Sequence, residues 1–174
     1  MAEIKIVITG AVGAGKTTAI GSISEIPVVS TDVAASDAVS AFKASTTVAM
    51  DYGELTLDDG SKLRIYGTPG QERFSFMWDI LATGALGFVI LVNHSSPTAL
   101  ADLDFYIKRF RKSIDESTMA VGVTHIGDNL SSMAKYYDYM NSQHLPYPIF
   151  PVDARKAADV RLMVEAMASM IIYE

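Results

Sequence analysis

With 174 residues, a formal net charge of −6 and no cysteine, the chain is long enough for one core-forming domain, leaves no room for a second catalytic one, and has neither a disulfide framework nor a thiolate metal site. Apolar residues make up 49% and charged residues 20%, an ordinary globular composition without the basic excess that neutralising many phosphates requires, so nucleic acid is excluded as the main partner. No stretch approaches the roughly 20 apolar residues that span a bilayer, Met1-Ala2-Glu3 reads as neither a signal peptide nor a myristoylation signal, and Ile171 to Glu174 lacks a prenylation cysteine. One domain over 1–174, no membrane insertion and a cytoplasmic location are expected.

Ile4 to Thr9 is a short run of β-branched residues that reads as a first strand, followed by a glycine-rich turn and a helix-compatible segment from Thr17 to Ser24. Pro27 to Thr46 turns to Ser, Thr, Ala and Asp without a clear period, a long connection with one short strand at Val28-Val29. Val48 to Leu57 and Lys62 to Tyr66 are strand-like and joined by Asp58-Asp59-Gly60-Ser61, a hairpin signal that makes one strand antiparallel. Leu86 to Val92 is a continuous apolar run of buried-strand type, a helix opens at Ser96-Pro97 and runs to about Ile114, and Met119 to Thr124 is a further strand. A helix from about Leu130 to Gln143, a strand at Ile149 to Val152 and a helix from about Ala157 to Ile172 complete the series. This alternation predicts an α/β fold: a mainly parallel six-stranded sheet with one antiparallel strand and helices on both faces. The turns after Thr9, Tyr66, Thr124 and Val152 then meet at the carboxyl edge of the sheet, where such folds bind ligands.

Gly10-Ala11-Val12-Gly13-Ala14-Gly15-Lys16-Thr17 fits the spacing G-x-x-x-x-G-K-[ST] between a strand and a helix, the context in which that pattern forms a phosphate-binding P-loop. Gly10, Gly13, Ala14 and Gly15 let successive backbone N–H groups converge on phosphate oxygens, and the following helix aims its positive end the same way. Lys16 is the candidate contact to the β- and γ-phosphates, Thr17 the candidate Mg²⁺ ligand, and Thr18 completes the candidate nucleotide-binding set.

Gly67-Thr68-Pro69-Gly70-Gln71-Glu72-Arg73-Phe74 also follows a strand, and it resembles the D-T-A-G-Q-E element of Ras-like and Arf-like small GTPases; Thr46-Thr47-Val48 resembles their first switch threonine. Order and spacing are similar to a G domain over essentially the whole chain. The T-x-P-G-Q turn is most like that of bacterial small GTPases related to MglA and of those encoded beside roadblock-type proteins. The resemblance implies GTP and GDP as ligands, Mg²⁺ as cofactor and hydrolysis of GTP. Thr47 would reach Mg²⁺ and the γ-phosphate, the Gly70 N–H would bind the γ-phosphate, and Gln71 would be the catalytic residue that orients water. It also implies loops 27–47 and 67–80 that order around a γ-phosphate, and a roadblock-type partner whose footprint is the Phe74 to Trp78 face. Phe74, Phe76, Met77 and Trp78 read equally as core or as an effector patch. Thr47 is alternatively just the start of a strand, with Thr46 competing for the role, and Gln71 an ordinary helix-start residue.

The chain departs from that pattern at Gly67, where most relatives carry the aspartate that holds Mg²⁺ through its water shell. The ion is expected to rely on Thr17, Thr47, the phosphates and water, and so to bind less tightly. In place of the guanine-reading N-K-x-D stands Thr124-His125-Ile126-Gly127-Asp128. Asp128 remains the candidate acceptor from guanine if the loop carries one extra residue, and His125 either stacks on the base or is a surface residue. Asp153-Ala154-Arg155 stands in the place of the S-A-K loop, whose backbone touches the base, with Asp153 also a candidate helix cap. Val12 is bulky for its place in the phosphate loop, where crowding of a partner-supplied arginine predicts slow turnover, and Arg73 either supplies positive charge in cis or sits on a solvated face. Two alternatives stay open: a nucleotide-holding module without turnover, favoured by Gly67 and Val12, and an ATP-using P-loop kinase, favoured by the weak base-reading motif.

Overall fold

The computed structural model describes residues 3–30 and 50–172. The elements along the chain are β1 (Glu3–Thr9), α1 (Lys16–Ile23), β2 (Val29–Ser30), β3 (Asp51–Thr56), β4 (Lys62–Gly67), a 3-10 turn (Glu72–Phe74), α2 (Phe76–Ala82), β5 (Gly87–Asn93), α3 (Ala99–Asp115), β6 (Thr118–Thr124), a second 3-10 turn (Leu130–Met133), α4 (Ala134–Ser142), β7 (Ile149–Pro151) and α5 (Ala157–Ile172). The strands form one sheet in the order β2-β3-β4-β1-β5-β6-β7. The strands from β4 to β7 run parallel, and β3 runs against β4 on one side and β2 on the other.

The α/β architecture is as expected, with a seventh strand added. The short strand expected at Val28-Val29 is β2, shifted by one residue, and it joins the sheet by pairing with β3 through Val29↔Tyr52 and Ser30↔Asp51, which takes the sheet from six strands to seven. The expected helix from Leu130 splits into a 3-10 turn and α4. The other elements fall within a few residues of their predicted ends, the usual uncertainty of element boundaries.

Both faces of the central strands are covered, which is why β5 is apolar without a break. Val89 and Leu91 pack with Ile6, Ile8, Ile20 and Met163 on the α1 and α5 side. Phe88, Ile90 and Val92 pack with Val7, Leu103, Phe110 and Tyr136 on the side of α2, α3 and α4. Strands buried on two faces have to be apolar at consecutive positions, and parallel sheets between helical layers impose that. Among the described residues no helix is long and apolar enough to cross a membrane.

The α2 segment divides the residues that sequence left open between core and surface. Phe74, Met77 and Trp78 are buried, whereas Phe76 is 50% and Ile80 57% exposed. Trp78 lies among Tyr106 and Phe110 with ring centroids at 5.4 and 5.9 Å, and its indole N–H donates to the Pro69 carbonyl at 2.9 Å. Arg109 of α3 reaches over the Trp78 ring at 5.7 Å and forks onto Asp79 at 2.9 and 3.1 Å. The turn after β4 is thus anchored through one indole to α2, and α2 to α3. Replacing Trp78 by Phe leaves the Pro69 carbonyl without its donor and a void beside Tyr106, which should cost about 2 kcal/mol. Urea unfolding followed by far-UV circular dichroism measures this, since the substitution removes the one tryptophan; a change below about 0.5 kcal/mol would show that the indole is not an anchor.

Candidate functional site

β1 ends and α1 begins around a turn whose glycines adopt backbone angles closed to other residues, with φ of 149° at Gly10, 82° at Gly13 and 101° at Gly15. A Cβ on Gly10 would fall 2.4 Å from the Leu91 carbonyl oxygen, so only glycine lets the chain leave the sheet here. Ala14 is buried and Thr124 Oγ1 donates to its carbonyl at 2.8 Å. Asn93 at the end of β5 donates to the Gly13 carbonyl at 3.2 Å. A Cβ on Gly15 would lie 3.1 Å from Ala154 Cβ, so the loop after β7 packs on the same turn. The glycine turn is thus held by the ends of β5 and β6 and by the loop after β7.

Lys16 is 8% exposed, and its ammonium donates to the Gly10 and Ala11 carbonyls at 2.6 and 2.9 Å. These bonds hold the charge over the turn, where it faces what the loop encloses. Thr17 and Thr18 are exposed on the first turn of α1, whose N–H groups have no partner within the helix. A lysine charge, a helix N-terminus and curled backbone N–H groups form a concentrated anion-binding arrangement.

The turn after β4 closes on this loop from the other side. Thr68 is buried, its N–H donates to the Ile8 carbonyl at 3.0 Å, and its hydroxyl bonds that of Thr9 at 2.8 Å. A Cβ on Gly70 would sit 2.9 Å from Lys16 Nζ and 3.0 Å from the Val12 nitrogen, so this backbone lies directly against the phosphate loop. Gln71 is exposed in extended conformation beside it. The Arg73 guanidinium lies 4.8 Å over the Phe74 ring, the solvated-face outcome rather than a charge held in the loop. Val12 is 69% exposed at the tip.

One residue that sequence reasoning missed stands in this site. Asp51 on β3 pairs across the hairpin with Gly67, and its Oδ2 accepts a hydrogen bond from the Thr17 hydroxyl. Its Oδ1 is buried without a hydrogen-bond partner among the described residues. No motif marks Asp51; only its alternation with Gly53 and Leu55 on the inward face of β3 could have shown that a carboxylate points into the fold. Thr46 and Thr47 lie outside the described residues.

On the side where a base would lie, His125 has φ 59° and its Nδ1 is 3.1 Å from Thr124 Oγ1, while Asp128 is exposed in the same loop. The Asp153 carboxylate accepts from the Arg155 backbone N–H at 3.0 Å and from its guanidinium at 3.0 and 2.9 Å. Those bonds, the side-chain ones first, hold the Asp153 carboxyl down at about 2, so it is ionised throughout the neutral range. Asp153 therefore shapes an Asx turn rather than capping α5; the cap contact runs the other way, from the Asp153 N–H to Asp159 at 2.9 Å.

A glycine turn between a strand and a helix, with a buried lysine folded over it at the carboxyl edge of a parallel sheet, defines a P-loop protein. Residues 8–121 match the family described as conserved hypothetical ATP-binding proteins, and the chain belongs to that family. An uncharacterized protein of Methanocaldococcus jannaschii is 30% identical over 144 residues, 82% of this chain and 83% of the relative. The bacterial selenocysteine-specific elongation factor EF-Sec superposes with a TM-score of 0.69 over 98% of this chain at 19% identity, a likeness of fold alone. The chain spans 29% of that factor's length.

Proposed function

We propose that the chain is a nucleotide-dependent molecular switch of the small-GTPase type, which binds GTP with Mg²⁺, hydrolyses it slowly to GDP and signals through the turn after β4. The observation that carries this reading is the contact of Gly70 with Lys16 and Val12, because a γ-phosphate has to be accommodated where that turn meets the loop. Lys16 and the backbone N–H groups of Gly13 to Thr18 neutralise and orient the phosphates. The Gly70 N–H takes the γ-phosphate, and Gln71, exposed next to it, orients the attacking water. Mg²⁺, when bound with the nucleotide, offsets charge on the phosphates; Thr17, and Thr47 by resemblance, are its proposed ligands.

Guanine is the proposed base, with Asp128 as acceptor and the backbone of Asp153, Ala154 and Arg155 beside it. The family's description as ATP-binding favours adenine as the second reading. The proposed partner is a roadblock-type protein; of the Phe74 to Trp78 face expected to meet it, Phe76 is the large apolar side chain left exposed, with Ile80 exposed on the next turn. The proposed unit is one domain over 1–174, acting in the cytoplasm.

Lys16→Ala should abolish tight nucleotide binding and leave the far-UV circular dichroism spectrum unchanged, since the lysine makes charge-assisted contacts and no apolar core. Titration with fluorescent GDP and ADP measures this and ranks the bases in one experiment. Tighter GDP binding that Asp128→Ala removes supports the guanine reading; equal or tighter ADP binding replaces it with the adenine one. Gly70→Ala puts a methyl against Lys16 Nζ and the Val12 N–H, so the turn cannot close on a γ-phosphate. Diphosphate affinity should stay within about twofold while single-turnover hydrolysis falls about 100-fold, as when a transition-state donor is removed. Unchanged hydrolysis would take Gly70 out of the site, and no turnover in the wild type would reduce the chain to a nucleotide-holding module.

A further inference from the structure

The place where a carboxylate at residue 67 would project is already filled. A Cβ on Gly67 would lie 2.9 Å from Ile20 Cδ1, 3.2 Å from Asp51 Cβ and 3.5 Å from Asp51 Oδ2. Residues 51 and 67 are direct cross-strand partners, so their side-chain positions share one face of the sheet. The glycine is what makes room for the side chain opposite, and that side chain is an aspartate.

Two features of Asp51 are those of a metal-site carboxylate. First, its Oδ2 accepts a hydrogen bond from the Thr17 hydroxyl. A hydroxyl that donates in one direction presents its lone pairs in the others, which a threonine must do to ligate a cation. Second, Asp51 is 8% exposed and its Oδ1 has no hydrogen-bond partner among the described residues. A buried carboxylate oxygen without a donor is costly unless something binds it. Among the described residues no group of three or more His, Cys, Asp or Glu side chains could cage a metal. One carboxylate and one hydroxyl suit Mg²⁺, which keeps several waters and takes its remaining ligands from phosphates.

We propose that Asp51 supplies the carboxylate of the Mg²⁺ site, reaching across the β3–β4 hairpin into the space that Gly67 leaves open. This rests on the reading of the chain as an Mg²⁺-dependent nucleotide protein. Oδ2 fixes the Thr17 hydroxyl, and Oδ1 is the oxygen offered to the ion or its water shell. Glycine at 67 then marks a carboxylate moved to the neighbouring strand, and the metal site keeps its acid.

The test is the release rate of N-methylanthraniloyl-GDP and -ADP in excess Mg²⁺ and in EDTA, together with the electron paramagnetic resonance signal of Mn²⁺ in the nucleotide complex. Asp51→Asn should shrink the Mg²⁺-conferred slowing by about 10- to 100-fold, the usual cost of altering a group that supports a metal. The rate in EDTA should stay at the wild-type value and the bound-Mn²⁺ signal should be lost. The double variant Asp51→Gly/Gly67→Asp returns the acid to β4 and should regain the Mg²⁺ effect. This variant also decides the matter if Asp51→Asn melts early: recovery supports the relocated carboxylate, and no recovery overturns it. A full Mg²⁺ effect in Asp51→Asn, or none in the wild type, overturns the proposal and leaves the phosphate loop standing. A wild type that binds no nucleotide at all overturns the P-loop reading as well.

Discussion

Burial of β1 on two faces and between two parallel neighbours is the constraint from which the phosphate end of the molecule follows. Ile6 and Ile8 lie in one helical layer's core and Val7 in the other's, while β4 and β5 hold the two backbone edges. A strand so enclosed cannot slip by one residue without turning its whole side-chain set over. The point at which the chain leaves the sheet is therefore fixed, and it is fixed against Leu91, whose carbonyl tolerates only a glycine at residue 10. Curvature of the loop, the seat of Lys16 over the Gly10 and Ala11 carbonyls and the aim of α1 all start from that exit.

The neighbouring hairpin obeys the same logic with a different consequence. Thr56 pairs with Lys62, so the connecting loop runs from Leu57 to Ser61, closed by the Leu57 N–H on the Ser61 carbonyl at 2.9 Å and by Gly60 at φ 84°. Counting up from that pair, Asp51 falls opposite Gly67. A slip of the pairing by one residue would set Asp51 opposite Tyr66 or Thr68, and neither leaves it the space that a glycine does. The length of a surface turn on the far edge of the sheet thereby decides which side chain stands beside Thr17.

The difference between what sequence displays and what it hides follows from this. The phosphate loop was legible because its chemistry is contiguous: glycines, lysine and threonine act through one turn, so their spacing along the chain is their spacing in space. β5 is legible because burial on two faces makes it an unbroken apolar run, and α3 because burial of one face imposes a period over many residues. Asp51 was hidden because its role depends on pairing with a residue on another strand, and a hairpin signal gives the presence of the turn but not its register. The division of Phe74, Phe76, Met77 and Trp78 was hidden because α2 has seven residues, too few for a helical period to separate an inner from an outer face. The place of Asp153 before a helix also matches a cap, but the arginine two residues on takes the same carboxylate.

Trp78 joins the turn after β4 mechanically to the helices beside it. Its indole N–H holds the Pro69 carbonyl one residue before Gly70, so Gly70 cannot be displaced far from Lys16 without breaking that bond or dragging the indole with it. The indole is packed against Tyr106 and Phe110 and lies under Arg109, which also grips Asp79, so the second course moves α2 against α3. Phe76 and Ile80 stand on the exposed side of the same short helix. A protein bound to those two side chains is thus mechanically in series with the turn that touches the phosphate loop. Packed interiors have few arrangements and resist small continuous deformation, so under the proposed function such a series would shift between discrete positions. In the proposed switch, a change at the turn would therefore reach α2 through the bond from Trp78 to Pro69.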